Sequence, residues 1–281
     1  MNNKICIGTA QFMANYGLPN NLNKKEKNFS NLIEYARKLK INYIDTAINY
    51  KNCHSLLGKI GVNDFKIITK IELKENFSEY QFLKSIEKSL NDLKVDNLYS
   101  ILIHHQNKLI NKKNVISFTK SLNKFFRVKK IGLSIYNEEE LYYYLNLYNF
   151  DLVQVPLNLF NQTFIEKKLF QFKNIEFHAR SVFLLGILIQ NFNDLPEYFK
   201  QFQDHFSNYD KLIDKNKFKK YDACLTFVFN NKMIDKLVIG FDNLNQLKAL
   251  LNFNKIKHRI NYSKFASNDL DLIDPRRWLI E

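Results

Sequence analysis

Short runs of apolar, β-branched residues recur along this chain, each leading into a stretch whose apolar positions fall on one helical face. The runs occupy residues 4–8, 42–45, 65–71 and 98–104, then 129–134, 152–156, 175–179 and 236–240. They show little alternation with polar residues, as expected of parallel strands buried on both faces. Residues 29–39 place Phe29, Leu32, Ile33, Ala36 and Leu39 along one helical stripe. Residues 82–93 do the same with Ile86, Leu90 and Leu93, and residues 138–148 and 243–251 follow suit.

Strands alternating with helices predict a parallel sheet joined by crossover helices. Eight such units in 281 residues fit a closed (β/α)8 TIM barrel, a single α/β domain spanning 1–281, better than an open doubly wound sheet. The open sheet usually carries a Gly-rich dinucleotide loop, and no GxGxxG occurs here. Residues 186–232 contain no strand pattern, but residues 195–206 and 221–229 read as helices. Such an excursion after the seventh strand belongs near the mouth of a barrel and marks no domain boundary.

Composition narrows the function classes. The chain is 46% hydrophobic and 15% aromatic, enough for a sizeable core, and its formal charge is +14. The lysines are spread along the sequence without an Arg-rich arm, zinc-finger spacing or RNA-binding signature. A solvated basic surface is therefore expected, and no nucleic-acid partner. Cys6, Cys53 and Cys224 lie far apart, which points to reduced thiols in an intracellular setting and to no metal site. The first residues hold no apolar run of signal-peptide length, and nowhere do about 20 apolar residues run together. A cytoplasmic protein without a membrane span is expected, and nothing in the pattern speaks to an oligomeric state.

Barrel enzymes carry their chemistry at the C-terminal ends of strands. Here those ends offer Asp45, Lys70 and His104, with Tyr50 in the loop after Asp45. These four types suit carbonyl reduction. A carbonyl that accepts hydride becomes an alkoxide and must be protonated, for which a tyrosine is a suitable acid. A neighbouring Lys⁺ would lower its pKa from about 10. A carboxylate would hold the lysine, and a histidine would donate to the carbonyl oxygen and orient the substrate. In the plainer reading, Asp45 and Lys70 form a structural ion pair in a barrel without activity.

The segment Tyr43-Ile-Asp-Thr-Ala-Ile-Asn-Tyr50 resembles the aldo/keto reductase signature, in which Asp-Thr-Ala shortly precedes the catalytic tyrosine. Ile67-Ile-Thr-Lys70 is similar to the family's third-strand end, and residues 96–104 resemble its fourth strand ending in histidine. Gly8-Thr-Ala-Gln-Phe12 with Tyr16 and Gly17 resembles the start of bacterial members. Similar segments at 130–134, 153–158, 179–186 and 238–243 extend the resemblance over nearly the whole chain. It implies Tyr50 as acid/base, Lys70 and Asp45 as its tuners, and His104 as substrate orienter. His105 is the competing histidine, although strand alternation turns it toward the helices.

The resemblance also implies a nicotinamide cofactor, NADP(H) or NAD(H), and a small carbonyl substrate, with sugar derivatives among the candidates. Ser134 and Gln154 would grip the nicotinamide amide, with Ile135 where relatives carry Asn. Arg180 stands where an aromatic ring commonly stacks on the nicotinamide. Gly8, Thr9, Gly240, Asp242 and Gln246 complete the expected cofactor set. Asp242 would favour NADH by repelling a 2′-phosphate, or it would cap the following helix. Lys248 or Arg259 offer compensating positive charge. The alternative function is a catalytically weak, cofactor-binding barrel that acts as a sensor or accessory subunit.

Overall fold

Each expected run forms a strand in the computed structural model, which describes residues 1–12, 29–76, 78–104, 109–125, 127–172, 174–256 and 260–280. Tyr16, Gly17, His105 and Arg259 lie outside the described residues. The strands are β1 Ile5–Gly8, β2 Tyr43–Asp45, β3 Lys66–Ile71, β4 Leu98–Ile103, β5 Val128–Ser134, β6 Leu152–Pro156, β7 Glu176–Arg180 and β8 Lys236–Gly240. Each pairs in parallel with its sequence neighbours, and β8 pairs with β1, so the sheet closes in the order β1 to β8. This is the (β/α)8 TIM barrel.

The connections are α1 Phe29–Lys38, α2 Cys53–Ile60, α3 Glu79–Leu93, α4 Lys112–Asn123, α5 Glu138–Leu145 and a short α6 Thr163–Glu166. Between β7 and β8, 3-10 turns lead into α7 Gln203–Lys215 and α8 Lys220–Asn230. Then α9 Leu244–Leu251 and a short α10 Leu270–Ile273 follow β8. Phe29, Leu32, Ile33 and Ala36 are the buried stripe of α1, as their spacing requires. Polar caps start several helices: Asn111, Asn137 and Asn243 each accept a first-turn amide of α4, α5 and α9. Among the described residues, no helix is long and apolar enough to cross a membrane.

Outward strand residues such as Ile5, Ile7, Ile44, Ile101 and Val153 pack with the helices in one core. Inside the barrel, Cys6, Tyr43, Ile68, Leu102 and Leu152 form a second cluster. Gly132 lets this inner layer close, because a Cβ there would collide with the Leu152 carbonyl and the Leu102 side chain. Below it, Glu176 ties the barrel floor together. It accepts from Tyr99 Oη at 2.7 Å and Lys130 Nζ at 2.5 Å, and its other oxygen meets His178 Nε2 at 2.6 Å. Burial opposes ionisation of Glu176, but the His178, Lys130 and Tyr99 contacts outweigh it and hold the carboxyl well below its ordinary range.

Candidate active site

The opposite end of the barrel gathers the expected chemistry. Asp45 ends β2 and Lys70 lies near the end of β3, both facing inward and both buried. Lys70 Nζ donates to Asp45 Oδ1 at 2.5 Å and to the Thr46 carbonyl at 2.9 Å. The second Asp45 oxygen accepts from Gln154 Nε2 at 2.8 Å, across the barrel from β6. The Asp45 carbonyl is held from behind by the amide and hydroxyl of Thr9, each at 3.0 Å. Thr9 is fully buried, so its hydroxyl positions Asp45.

Tyr50 follows in the loop after β2. That loop is pinned to β3 by Thr46 N donating to Ile68 O and Ile48 N to Lys70 O, and it turns where Tyr50 N meets Ala47 O. Lys70 Nζ lies 5.6 Å from the Tyr50 ring centroid, within cation–π range. His104, just beyond β4, faces Tyr50 with ring centroids 6.3 Å apart and planes 76° apart. Its amide is tied to Ile71 O at 2.8 Å. The four residue types read from the strand ends thus converge on one mouth.

The electrostatics differ from expectation in one respect. The Tyr50 hydroxyl is held well above the ordinary tyrosine range, first by burial and then by the Asp45 carboxylate. The cation that opposes this rise is Arg180. Lys70 is committed to Asp45 at hydrogen-bond distance, and it is not the cation that lowers Tyr50.

The expected cofactor residues divide into two groups. Ser134 and Gln154 sit side by side in register on β5 and β6. Gln154 is fully buried, and its Oε1 has no hydrogen-bond partner among the described residues. Arg180 ends β7 with its guanidinium carbon 4.0 Å from the Tyr136 ring centroid, and its Nη2 donates to the Ile135 carbonyl at 3.0 Å. Gly8 and Gly240 face each other across β1 and β8, and the Gln11 side chain fills the space a Cβ at Gly240 would take.

After β8 the helix cap is Asn243 rather than Asp242: Asn243 Oδ1 accepts from Gln246 N at 3.0 Å. Asn243 supplies the Asx geometry directly before α9, one residue later than expected. Asp242 instead pairs with Gln246, giving its amide to Oε1 at 2.7 Å and accepting from Nε2 at 3.3 Å. Lys248 lies over the Tyr35 ring of α1.

Two further residues line the mouth, and of these Tyr136 carries no signal in the sequence. Tyr136 follows β5, and Arg276, from the tail after α10, lies over the Tyr136 ring with its guanidinium carbon 3.8 Å from the centroid. The Asp274-Pro-Arg-Arg segment was the available signal, but its reach to Tyr136 is a tertiary fact.

Known proteins share both the sequence pattern and the fold. The aldo/keto reductase family model matches residues 4–267. The fold is similar to that of glycerol dehydrogenase AKR11B4 from Gluconobacter oxydans, with TM-score 0.71 and 19% identity over 93% of this chain and 89% of that one. It is also similar to aldo-keto reductase AKR11C1 from Bacillus halodurans in its holo form, with TM-score 0.73 and 15% identity over 98% and 95% of the two chains. At such identities these structures speak to fold alone. Among curated proteins, none matches significantly. The family match over most of the length, on a closed eight-stranded barrel, leads to one conclusion: this chain belongs to the aldo/keto reductase family.

Proposed function

We propose that this protein is an NAD(P)(H)-dependent oxidoreductase that reduces an aldehyde or ketone to an alcohol, with Tyr50 as proton donor. The observation that carries this reading is the convergence of Tyr50, His104 and the buried Lys70–Asp45 pair at one barrel mouth. His104 orients the carbonyl oxygen toward Tyr50, and Tyr50 gives its proton to that oxygen as charge develops. A phenol above its ordinary range stays protonated at neutral pH, yet it is still a stronger acid than an alkanol. Proton transfer to the alkoxide is therefore downhill, and the tyrosinate recovers its proton from solvent.

The residues present fit a nicotinamide. The unpartnered Gln154 Oε1 can accept from a carboxamide NH2, and the neighbouring Ser134 hydroxyl can donate to its carbonyl. When bound, the reduced ring supplies the hydride that the carbonyl carbon accepts. Asp242 and Gln246, after β8, would face the adenosine end, with Gly8 and Gly240 lining the approach. The test is cofactor oxidation with NADPH and NADH over aldehydes, ketones and sugar derivatives. Tyr50→Phe keeps the ring but removes the proton, and turnover should fall about 10²-fold or more. Wild-type turnover in Tyr50→Phe refutes the assignment. Cofactor binding without turnover of any carbonyl would instead favour the sensor or accessory role.

A further inference from the structure

The charges at the barrel mouth are unevenly matched. Lys70 is neutralised by Asp45 at 2.5 Å. Arg276 gives its Nε to both Asp274 oxygens, at 2.7 and 2.8 Å, and has Glu140 at 3.8 Å. Among the described residues Arg180 has neutral acceptors only: the Ile135 carbonyl at 3.0 Å and the Ser181 hydroxyl at 3.4 Å. No carboxylate among the described residues pairs with it. Arg180 is nevertheless partly buried, where a cation without a counter-charge is costly.

Part of that cost is offset by Tyr136, whose ring carries the guanidinium groups of both Arg180 and Arg276. The stack holds two like charges as close neighbours and fixes the plane of Arg180. Among the described residues only two of its donors are taken, so the rest of the planar fork is open to a ligand oxygen pair. Arg180 also ends β7 on the same rim as Asp45 and Lys70.

We propose that Arg180, held by Tyr136, binds an oxyanion on the carbonyl substrate, a carboxylate or a phosphate, and so selects anionic aldehydes or ketones. The inference rests on the reading of this mouth as a carbonyl-reducing site and names its substrate class. Arg276, already paired with Asp274 and Glu140, closes the rim from the C-terminal tail.

The test compares matched carbonyls that differ in charge: 4-carboxybenzaldehyde against 4-formylbenzamide, and glyceraldehyde 3-phosphate against glyceraldehyde. For the wild type, kcat/KM should favour the anionic member of at least one pair, and the advantage should shrink as salt rises. The pair that shows the advantage distinguishes carboxylate from phosphate. Arg180→Met should reduce the anionic-to-neutral ratio about 10- to 100-fold, the range of a lost charge-assisted hydrogen bond. Arg180→Lys, which keeps the charge without the fork, should recover part of it.

Equal turnover of both members at all salt concentrations, measured on the wild type alone, overturns the inference while the reductase reading stands. An unchanged ratio in Arg180→Met with a raised KM for cofactor also overturns it, because the anion bound is then a cofactor phosphate. Without turnover, a melting shift given by 4-carboxybenzaldehyde to the wild type but not to Arg180→Met, and by the benzamide to neither, supports the anion site. In that case the reductase reading is what fails.

Discussion

Replacing Asp45 by asparagine isolates the charge that holds the site together. The Asp45 and Lys70 side chains are only 4% and 2% exposed, so solvent screens their interaction little. In Asp45→Asn the introduced amide oxygen can still accept from Lys70 Nζ. The new NH2 group then faces Gln154, whose Nε2 donates to Asp45 in the wild type while its Oε1 is unpartnered. A flip of the Gln154 amide restores that hydrogen bond, so the loss falls on the charge of Lys70, left with the Thr46 carbonyl as its other partner. Breaking a buried pair in this way costs about 3–5 kcal/mol, and the retained hydrogen bonds put this case near about 3 kcal/mol. For a chain of this length the melting temperature should drop by roughly 6–10 °C. The double variant Asp45→Asn/Lys70→Met removes the orphaned cation and should regain most of the loss. Thermal denaturation followed by circular dichroism checks both values. A single variant that melts within about 2 °C of wild type, or a double variant no more stable than the single, would refute the reasoning.

Because burial and Asp45 raise the Tyr50 hydroxyl, carbonyl reduction should be level across neutral pH. Alcohol oxidation, which needs the tyrosinate, should keep rising through about pH 10, the ordinary phenol value; an oxidation plateau near neutrality contradicts the assigned acid. At the barrel floor, Glu176→Gln should cost about 2 kcal/mol at neutral pH, the buried-pair range discounted for partial exposure. The folded-state pKa of Glu176 is depressed, so its contribution is present above the unfolded carboxyl value and lost as pH falls through the folded one. Urea titrations should therefore show wild type and Glu176→Gln converging below about pH 4, and a constant gap removes Glu176 from that role. For the cofactor, appreciable NADH use is expected, with Asp242→Ser shifting preference toward NADPH. Strict NADPH dependence unaltered by the substitution would show that Asp242 does not read the ribose.

The barrel was legible because strands buried on both faces must be apolar throughout, so runs such as 152–156 and 236–240 stand out at their true ends. The same logic found α1 and α3, whose apolar stripes are strong. It passed over α2 and α4, where His54 and Asn114 occupy buried positions that a pattern of apolar residues does not register. At the site, residue type and order along the strands were enough to bring Asp45, Lys70, Tyr50 and His104 to one rim, since successive parallel strands end at the same face of a barrel. Sequence could not decide which charge acts on which group. Gln154 bonds Asp45 across 109 positions and Arg180 bonds Ile135 across 45, contacts set by side-chain rotamers and barrel closure. The acidity of Tyr50 followed those contacts. Chain order supplies the chemical groups, but burial and a few ångströms of separation, which only the closed barrel fixes, determine the sign of their influence.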